Sequence, residues 1–412
     1  MQRSTNFISP ARQPLLDHPR AQLRHDKVKG PLPFLNPTSA TFDLVPKSER
    51  IAQATDTLPS SPEEKIPPQL GEAQLKWRAR DNRKGRHVLV VPRKPTTAET
   101  PKPTATWSAV GKGLWRMCSE YAWWDVSWWI AVVFSAGSAI FVASGFFYWL
   151  PLEAPNTEFT GEGSIAGGVT AFIGATLFQV GAILLIFEAC NENQSGCFGW
   201  ALEQAFSLDH SDENETHKEA NTMQYTATDY CEHHHLHGLH KKSAVQMQHP
   251  GAGRTWEWWP TWHELTTHYF HEIGFLASIA LSIGSTIFYI SGIMALPGIY
   301  DSLSQAVLWG VYWLAYLSGS IFFLVSSVLY MLETQPKWYK PAPQLLGWWI
   351  GVFNGIGAVG WTLSASLGYC SASWCEYQGE LSLLWASIAY LIGSLLLWYE
   401  ALEKYPVERA SK

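Results

Sequence analysis

Residues 127–150 read SWWIAVVFSAGSAIFVASGFFYWL, a run with no Asp, Glu, Lys, Arg or His. About 20 helical residues cross the ~30 Å hydrocarbon layer of a bilayer, so this run is long enough to span one. In lipid, backbone N–H and C=O groups must be satisfied internally, which selects a helix for an uncharged stretch of this length. Five more runs share the property, at 165–187, 273–293, 306–332, 346–368 and 382–399. The fold class expected is all-α: a polytopic membrane protein with six transmembrane helices and a disordered N-terminal tail. The tail is polar and proline-rich, a composition that buries too little apolar surface to fold alone.

Six crossings put both ends of the chain on one side, and the charges agree. Of the 29 Lys and Arg, 20 precede the first run, 4 lie in the long middle loop, 2 in the loop at 334–344 and 3 in the C-terminal tail. The opposite loops, 151–164, 294–305 and 369–381, hold none, and they carry Glu153, Glu158, Glu162, Asp301, Glu376 and Glu380. This is the positive-inside pattern, and it predicts cytosolic termini in a membrane whose organelle it does not name. No apolar core follows the first residues, so no signal peptide is expected and the first span serves as the insertion signal. Cys370 and Cys375 share a far-side loop where an oxidising lumen permits a disulfide; two free thiols are the alternative.

The spans repeat. The first carries Gly137-Ser138-Ala-Ile-Phe141-Val-Ala-Ser144-Gly145, the third Gly284-Ser285-Thr-Ile-Phe288-Tyr-Ile-Ser291-Gly292, and the fifth a weaker copy from Gly357-Ala358 through Trp361 to Ser364-Ala365. Trp-Trp-Ile precedes the glycine by the same distance at 128–130 and 348–350. The even spans share another pattern, a small residue and an apolar run ending on Glu: Gly181 to Glu188, Ser326 to Glu333 and Gly393 to Glu400. The chain thus reads as three tandem hairpins in one orientation. Lipid tails are as apolar as Leu, so the small residues mark seams where helix backbones approach closely. The glutamates read either as interfacial stop residues or as a ring of three carboxylates around a pseudo-threefold axis, able to attract cations. Lys337 and Lys404, four residues after Glu333 and Glu400, are their candidate partners.

The expected organisation is a disordered cytosolic tail over 1–104, an interfacial Trp-rich helix over 105–126 and a first hairpin over 127–189. A His-rich cytosolic loop follows over 190–271, then hairpins over 272–333 and 334–400 and a cytosolic tail over 401–412. Within the tail, 76–94 holds eight basic residues, a candidate site for anionic lipid headgroups, and His87-Val-Leu-Val-Val-Pro92 is a short possible strand with no evident partner. Trp107, Trp115, Trp256, Trp258, Trp259, Trp262, Trp338, Trp348 and Trp349 lead into the spans on the basic side, as an aromatic belt does.

The middle loop holds 11 of the 14 histidines, densest at His233-His-His-Leu-His-Gly-Leu-His240, a tract that binds metal weakly rather than as a finger. His263-Glu-Leu-Thr-Thr-His268 lacks the i, i+4 spacing of a zincin, so that motif is rejected, and His268 and His271 read as interfacial. No nucleophile–base pair or metal cluster is found, so no catalytic, cofactor or metal residue is assigned and no cofactor is expected. The partners expected are membrane lipids and cytosolic proteins, with no nucleic acid. A non-enzymatic scaffold or interaction protein is the reading. A transporter or channel for a small solute or metal ion is the alternative, weakened by spans without the ionisable groups that coupled pathways use.

The Gly-Ser-x-x-Phe and terminal-Glu hairpin resembles the two-helix YrhK-like membrane module. The whole is similar to a six-pass family of integral membrane proteins of filamentous fungi. Trp256-Glu-Trp-Trp-Pro-Thr-Trp-His-Glu-Leu265, His271-Glu-Ile-Gly-Phe275 and Gly196-Cys-Phe-Gly-Trp-Ala-Leu-Glu203 carry most of the likeness, over roughly 105–403. The resemblance implies a membrane address and no activity, and it transfers no catalytic residue.

Overall fold

The computed structural model describes residues 7, 21–44, 74–86, 88–91, 104–198 and 256–409. Six of its helices are long and apolar enough to cross a membrane. They are α3 (Val126–Glu153), α4 (Gly168–Cys190, entered through a π-turn at Glu162–Gly167), α6 (Ile273–Met294), α7 (Leu314–Thr334, entered through a π-turn at Leu308–Trp313), α8 (Leu346–Leu367) and α9 (Ser373–Leu402). Three shorter α-helices among the described residues lie outside them: α1 (Ala79–Arg83), α2 (Trp107–Ser119) and α5 (Trp262–Thr267). Each span lies close to its expected run. The largest departure is α9, which starts nine residues before the apolar run at 382. Glu376 sits in its first turn, where a carboxylate suits the helix dipole, so the helix continues past the stretch that hydropathy marks.

The spans form a closed ring in sequence order, each packing on the next and α9 returning to α3. The hairpin repeat becomes a property of this ring. Phe141, Phe288 and Trp361 each stand four residues after the motif glycine of an odd span. Phe178, Phe323 and Tyr390 each stand ten residues before the terminal glutamate of an even span. All six are buried and meet at the centre. Trp361 touches Phe141 (ring centroids 4.9 Å apart), Phe178 (5.4 Å), Phe288 (5.0 Å), Phe323 (5.9 Å) and Tyr390 (4.4 Å). The Trp-Trp-Ile copies match in detail as well: the Trp129 and Trp349 indoles donate to the carbonyls of Trp123 (2.7 Å) and Pro343 (2.9 Å), each six residues upstream.

The small residues form the seams. A Cβ added at Gly284 would lie 2.9 Å from the Gly319 carbonyl oxygen, and one at Gly319 would lie 2.8 Å from the Gly284 oxygen, so α6 and α7 meet backbone to backbone. Gly145 of α3 approaches the Leu384 backbone of α9 equally closely. Ser138 and Ser394 share a hydrogen bond of 3.3 Å across the same joint, and Ser326 donates to the Ala277 carbonyl at 2.8 Å. Gln179, one of the two amide side chains well inside the spans, donates to Thr286 at 3.2 Å and thereby ties α4 to α6.

Within the expected tail, the segments 21–44, 74–86 and 88–91 carry ordered structure; most of the rest lies outside the described residues. β1 (Ala21–Leu23), β2 (Ser39–Leu44), β3 (Gln74–Arg78) and β4 (Val88–Val91) form an antiparallel sheet in that order. β5 (Val407–Arg409), near the C-terminus, adds to β4 in parallel, Leu89 opposite Val407. The possible strand at 87–92 therefore finds its partners in β3 and in the other end of the chain. Val28, Ala40, Phe42 and Leu75 make a small apolar core under the sheet. Arg78 and Lys76 both pair with Glu408 of β5, Lys76 at 3.3 Å. The sheet brings residues 21–44 and 407–409 together at one end of the bundle. At the other end Cys370 and Cys375 form a disulfide, so the free-thiol alternative does not hold.

Candidate functional site

The loop between β3 and β4 carries α1, and α1 projects into the bundle. Arg80, Arg83 and Lys84 are all buried there, against Glu188, Glu333 and Glu400 at the ends of the even spans. The ring of three carboxylates exists, and its cations come from the protein's own N-terminal segment.

Arg83 grips Glu333 with both terminal nitrogens, the second at 3.1 Å, and holds its Nε 3.9 Å from Glu188. Arg80 makes a bidentate pair with Glu400, at 3.1 and 2.7 Å. Lys84 Nζ reaches the same carboxylate at 3.0 Å, and Arg86 reaches it at 3.2 Å while also binding Asp81 at 2.6 Å. Ser127 donates to Glu188 at 2.7 Å. The Tyr330 ring lies under both guanidinium groups, 5.9 Å from Arg80 and 5.4 Å from Arg83, in the cation–π arrangement. Three carboxylates thus face Arg80, Arg83 and Lys84, so the buried charges balance. Burial works against the charge on Arg83, but Glu333, Tyr330 and Glu188 outweigh it and raise its pKa. Burial prevails at Lys84, whose pKa is lowered in spite of Glu400 and Glu188.

The expected lysine partners go elsewhere. Lys404 binds Asp125 at 2.5 Å, the residue that caps α3, together with the Lys84 carbonyl at 2.8 Å. Lys337 turns to the Tyr339 hydroxyl at 3.1 Å, because the chain leaves helical geometry at Gln335. The basic segment 76–94 likewise has a different employment from the one its composition suggests. Its cations from 76 to 86 bind carboxylates of the protein; Arg93 and Lys94 lie outside the described residues. Between the charge ring and the aromatic centre lies a cavity of about 50 Å³, bordered by Glu188, Lys84, Ser327, Asn354, Tyr390 and Ser394.

A second polar group stands beside this ring at the joint of α4 and α6. Glu192, His268 and Glu272 lie together, with His268 and Glu272 buried. Asn36 donates to Glu272 at 2.6 Å. Burial first, and then the Glu192 carboxylate, push Glu272 up to about 8. His268, expected near the membrane interface, is buried within the protein, 4% exposed. His263 of the rejected motif is exposed, and the tract 233–240 lies outside the described residues. Neither Glu192 nor Glu272 stands out in the sequence; the one available signal is the repeat itself, which offers Lys404 as the counterpart of Glu192.

Comparison with family models, curated proteins and solved structures returned no match.

Proposed function

We propose that this multi-pass membrane protein is a non-enzymatic scaffold whose bundle is closed to solutes and whose sheet faces cytosolic partners. The observation that carries the reading is the filled axis. Each of the six spans contributes one aromatic ring to the centre, and α1 closes the terminal end with a balanced cluster of charges. Ionisable groups inside the spans mark ion and coupled-solute pathways, and here the ion-paired cluster lies at one end while aromatic rings fill the centre. The positive-inside distribution supports cytosolic termini. Headgroup contact then falls to the exposed indoles rather than to residues 76–86. Trp107 (92% exposed) and Trp115 (73%) on α2 are the leading examples, with Trp259, Trp262 and Trp338 at the same end. The likeness to six-pass fungal membrane proteins and the YrhK-like hairpin is consistent with this address.

The cavity favours a second reading as a small-solute carrier, since Asn354, Ser327 and Ser394 line it beside Glu188. One assay separates the two. Purified protein in sealed vesicles is expected to pass neither K⁺, H⁺, Zn²⁺ nor glycerol above the rate of empty vesicles, with or without Glu188→Gln. Saturable flux that the substitution removes would establish the carrier instead.

Orientation has its own test. The sequons Asn193-Gln-Ser195 and Asn214-Glu-Thr216 fall on the side assigned to the cytosol. Ser195 is buried and donates to the Lys84 carbonyl at 3.0 Å. Peptide mass mapping of the native protein is expected to find both asparagines unmodified, whereas a glycan on either would reverse the orientation.

A further inference from the structure

The repeat gives the ring three equivalent carboxylates, and the fold satisfies them unequally. Glu333 has both oxygens bound by Arg83. Glu400 has both bound by Arg80, with Lys84 and Arg86 in addition. Glu188 has one oxygen bound, by the Ser127 hydroxyl at 2.7 Å. Its Oε2 is buried and makes no hydrogen bond with any described residue. The same is true of Arg83 Nε, 3.9 Å away, and of the Tyr390 hydroxyl at the aromatic centre. Buried polar atoms are nearly always hydrogen-bonded, because an unmet donor or acceptor carries its full desolvation penalty.

Glu188, Arg83 and Tyr390 all border the cavity of about 50 Å³ between the ring and the centre, with Ser327, Asn354 and Ser394 beside them. About 10–15 Å³ of such space holds one water, so there is room for roughly three. The walls narrow the chemistry of the occupant. The charges of the ring already balance, so an ion would unbalance them and lose its own hydration as well. Glu188 Oε2 requires a donor, Arg83 Nε requires an acceptor, and the Tyr390 hydroxyl serves as either. The occupant is therefore neutral and small, and it both donates and accepts. A molecule about 2.9 Å from Glu188 Oε2 and from Arg83 Nε, an ordinary hydrogen-bond distance, sees the two atoms about 85° apart. One water can thus donate to the first and accept from the second. Phe178, Leu185 and Ile350 on the remaining walls offer no side-chain hydrogen bond.

We propose that this cavity is a hydration site, in which a cluster of about three bound waters joins Glu188 and Arg83 to the Tyr390 hydroxyl. The waters complete the third carboxylate of the ring and tie the ring to the aromatic centre. A bridging water is nearly as good as a direct hydrogen bond. The site is independent of the scaffold reading, because bound water satisfies these groups in a closed bundle and in a carrier alike.

The test pairs diffraction from the full chain, crystallised in a lipidic mesophase and recorded at a resolution that shows ordered water, with thermal unfolding in mixed micelles. Density is expected for water within hydrogen-bond distance of Glu188 Oε2 and of the Tyr390 hydroxyl. In a dry cavity Tyr390→Phe would remove an orphaned hydroxyl and raise the unfolding temperature. With water bound it is expected to lower the unfolding temperature instead. Tyr390→Phe combined with Glu188→Gln is expected to lower it by less than the sum of the two single shifts, the signature of groups in one network. A dry cavity, an ion or a larger solute in the density, direct contact of Arg83 Nε with Glu188 Oε2, or a Tyr390→Phe chain that melts above the parent would overturn the site. Additive shifts would overturn the link between Glu188 and Tyr390. If Glu188→Gln does not fold, diffraction and Tyr390→Phe decide the site by themselves. Vesicle flux decides between scaffold and carrier, and neither flux result alters these outcomes.

Discussion

Arg83→Ala is expected to cost about 3–5 kcal/mol, the penalty for removing one partner of a buried ion pair. Among the described residues, Arg83 is the one cation within 4 Å of two carboxylates of the ring, Glu333 directly and Glu188 at 3.9 Å. Its loss leaves Glu333 buried with no pair and Glu188 with the Ser127 hydroxyl. Replacing both members, Arg83→Met with Glu333→Met, should recover a large part of the loss, since apolar substitutes for a buried pair are often nearly neutral. Lys76→Ala is the control: its pair with Glu408 is partly exposed and should contribute no more than about 1 kcal/mol. Denaturant unfolding of the purified chain in mixed micelles measures all three. An Arg83→Ala chain within about 0.5 kcal/mol of the parent, the range of ordinary surface substitutions, would mean that the ring is solvated and that α1 rests on the bundle without locking it.

The contrast between Arg83 and Lys404 shows how far the sequence could be read. The six spans were legible because an uncharged run of twenty residues has few other destinations. Their repeat was legible because spacing survives in linear order, and the positions it aligned, Phe141 with Phe288 and Trp361, do meet. The three glutamates could be placed at equivalent helix ends for the same reason. Their partners could not. Arg80 lies 320 residues from Glu400, and nothing local distinguishes Arg80, Arg83 and Lys84 from the other cations of 76–94. A lysine four residues from a glutamate was the nearer candidate, but helical i, i+4 pairing fails where the helix stops. The sheet was hidden for a related reason. Its strands are three to six residues long, and the neighbour that completes β4 comes from the other end of the chain. A segment can lack the composition to fold alone and still fold on a bundle that supplies counter-charges.

Trp361→Ala is the second large effect expected, about 3 kcal/mol, the low end of the range for deleting a buried aromatic ring. The low end is appropriate because lipid offers no hydrophobic reward for burying Trp361; what is lost is contact. That contact is extensive. Five rings from the other spans pack on the indole, and its Nε1 donates to Ser387 at 3.3 Å. Trp361→Phe keeps a ring at the centre and should cost less than half as much, losing the indole bond and part of the packing. The cavity left by Trp361→Ala is apolar, and such cavities stay dry. Its polar neighbours are Ser387, which already donates to the Leu383 carbonyl at 2.7 Å, and Tyr390, whose ring packs on the indole. The variant should therefore remain closed to K⁺ and H⁺ in vesicles even as it unfolds more easily, because Arg80, Arg83 and Lys84 still seal the terminal end. Unfolding and flux measured on the same preparation separate the two roles of the centre. Lost stability with no flux assigns closure to the charge ring. Flux on removal of the indole alone would make Trp361 the gate and would turn the functional reading from scaffold to carrier.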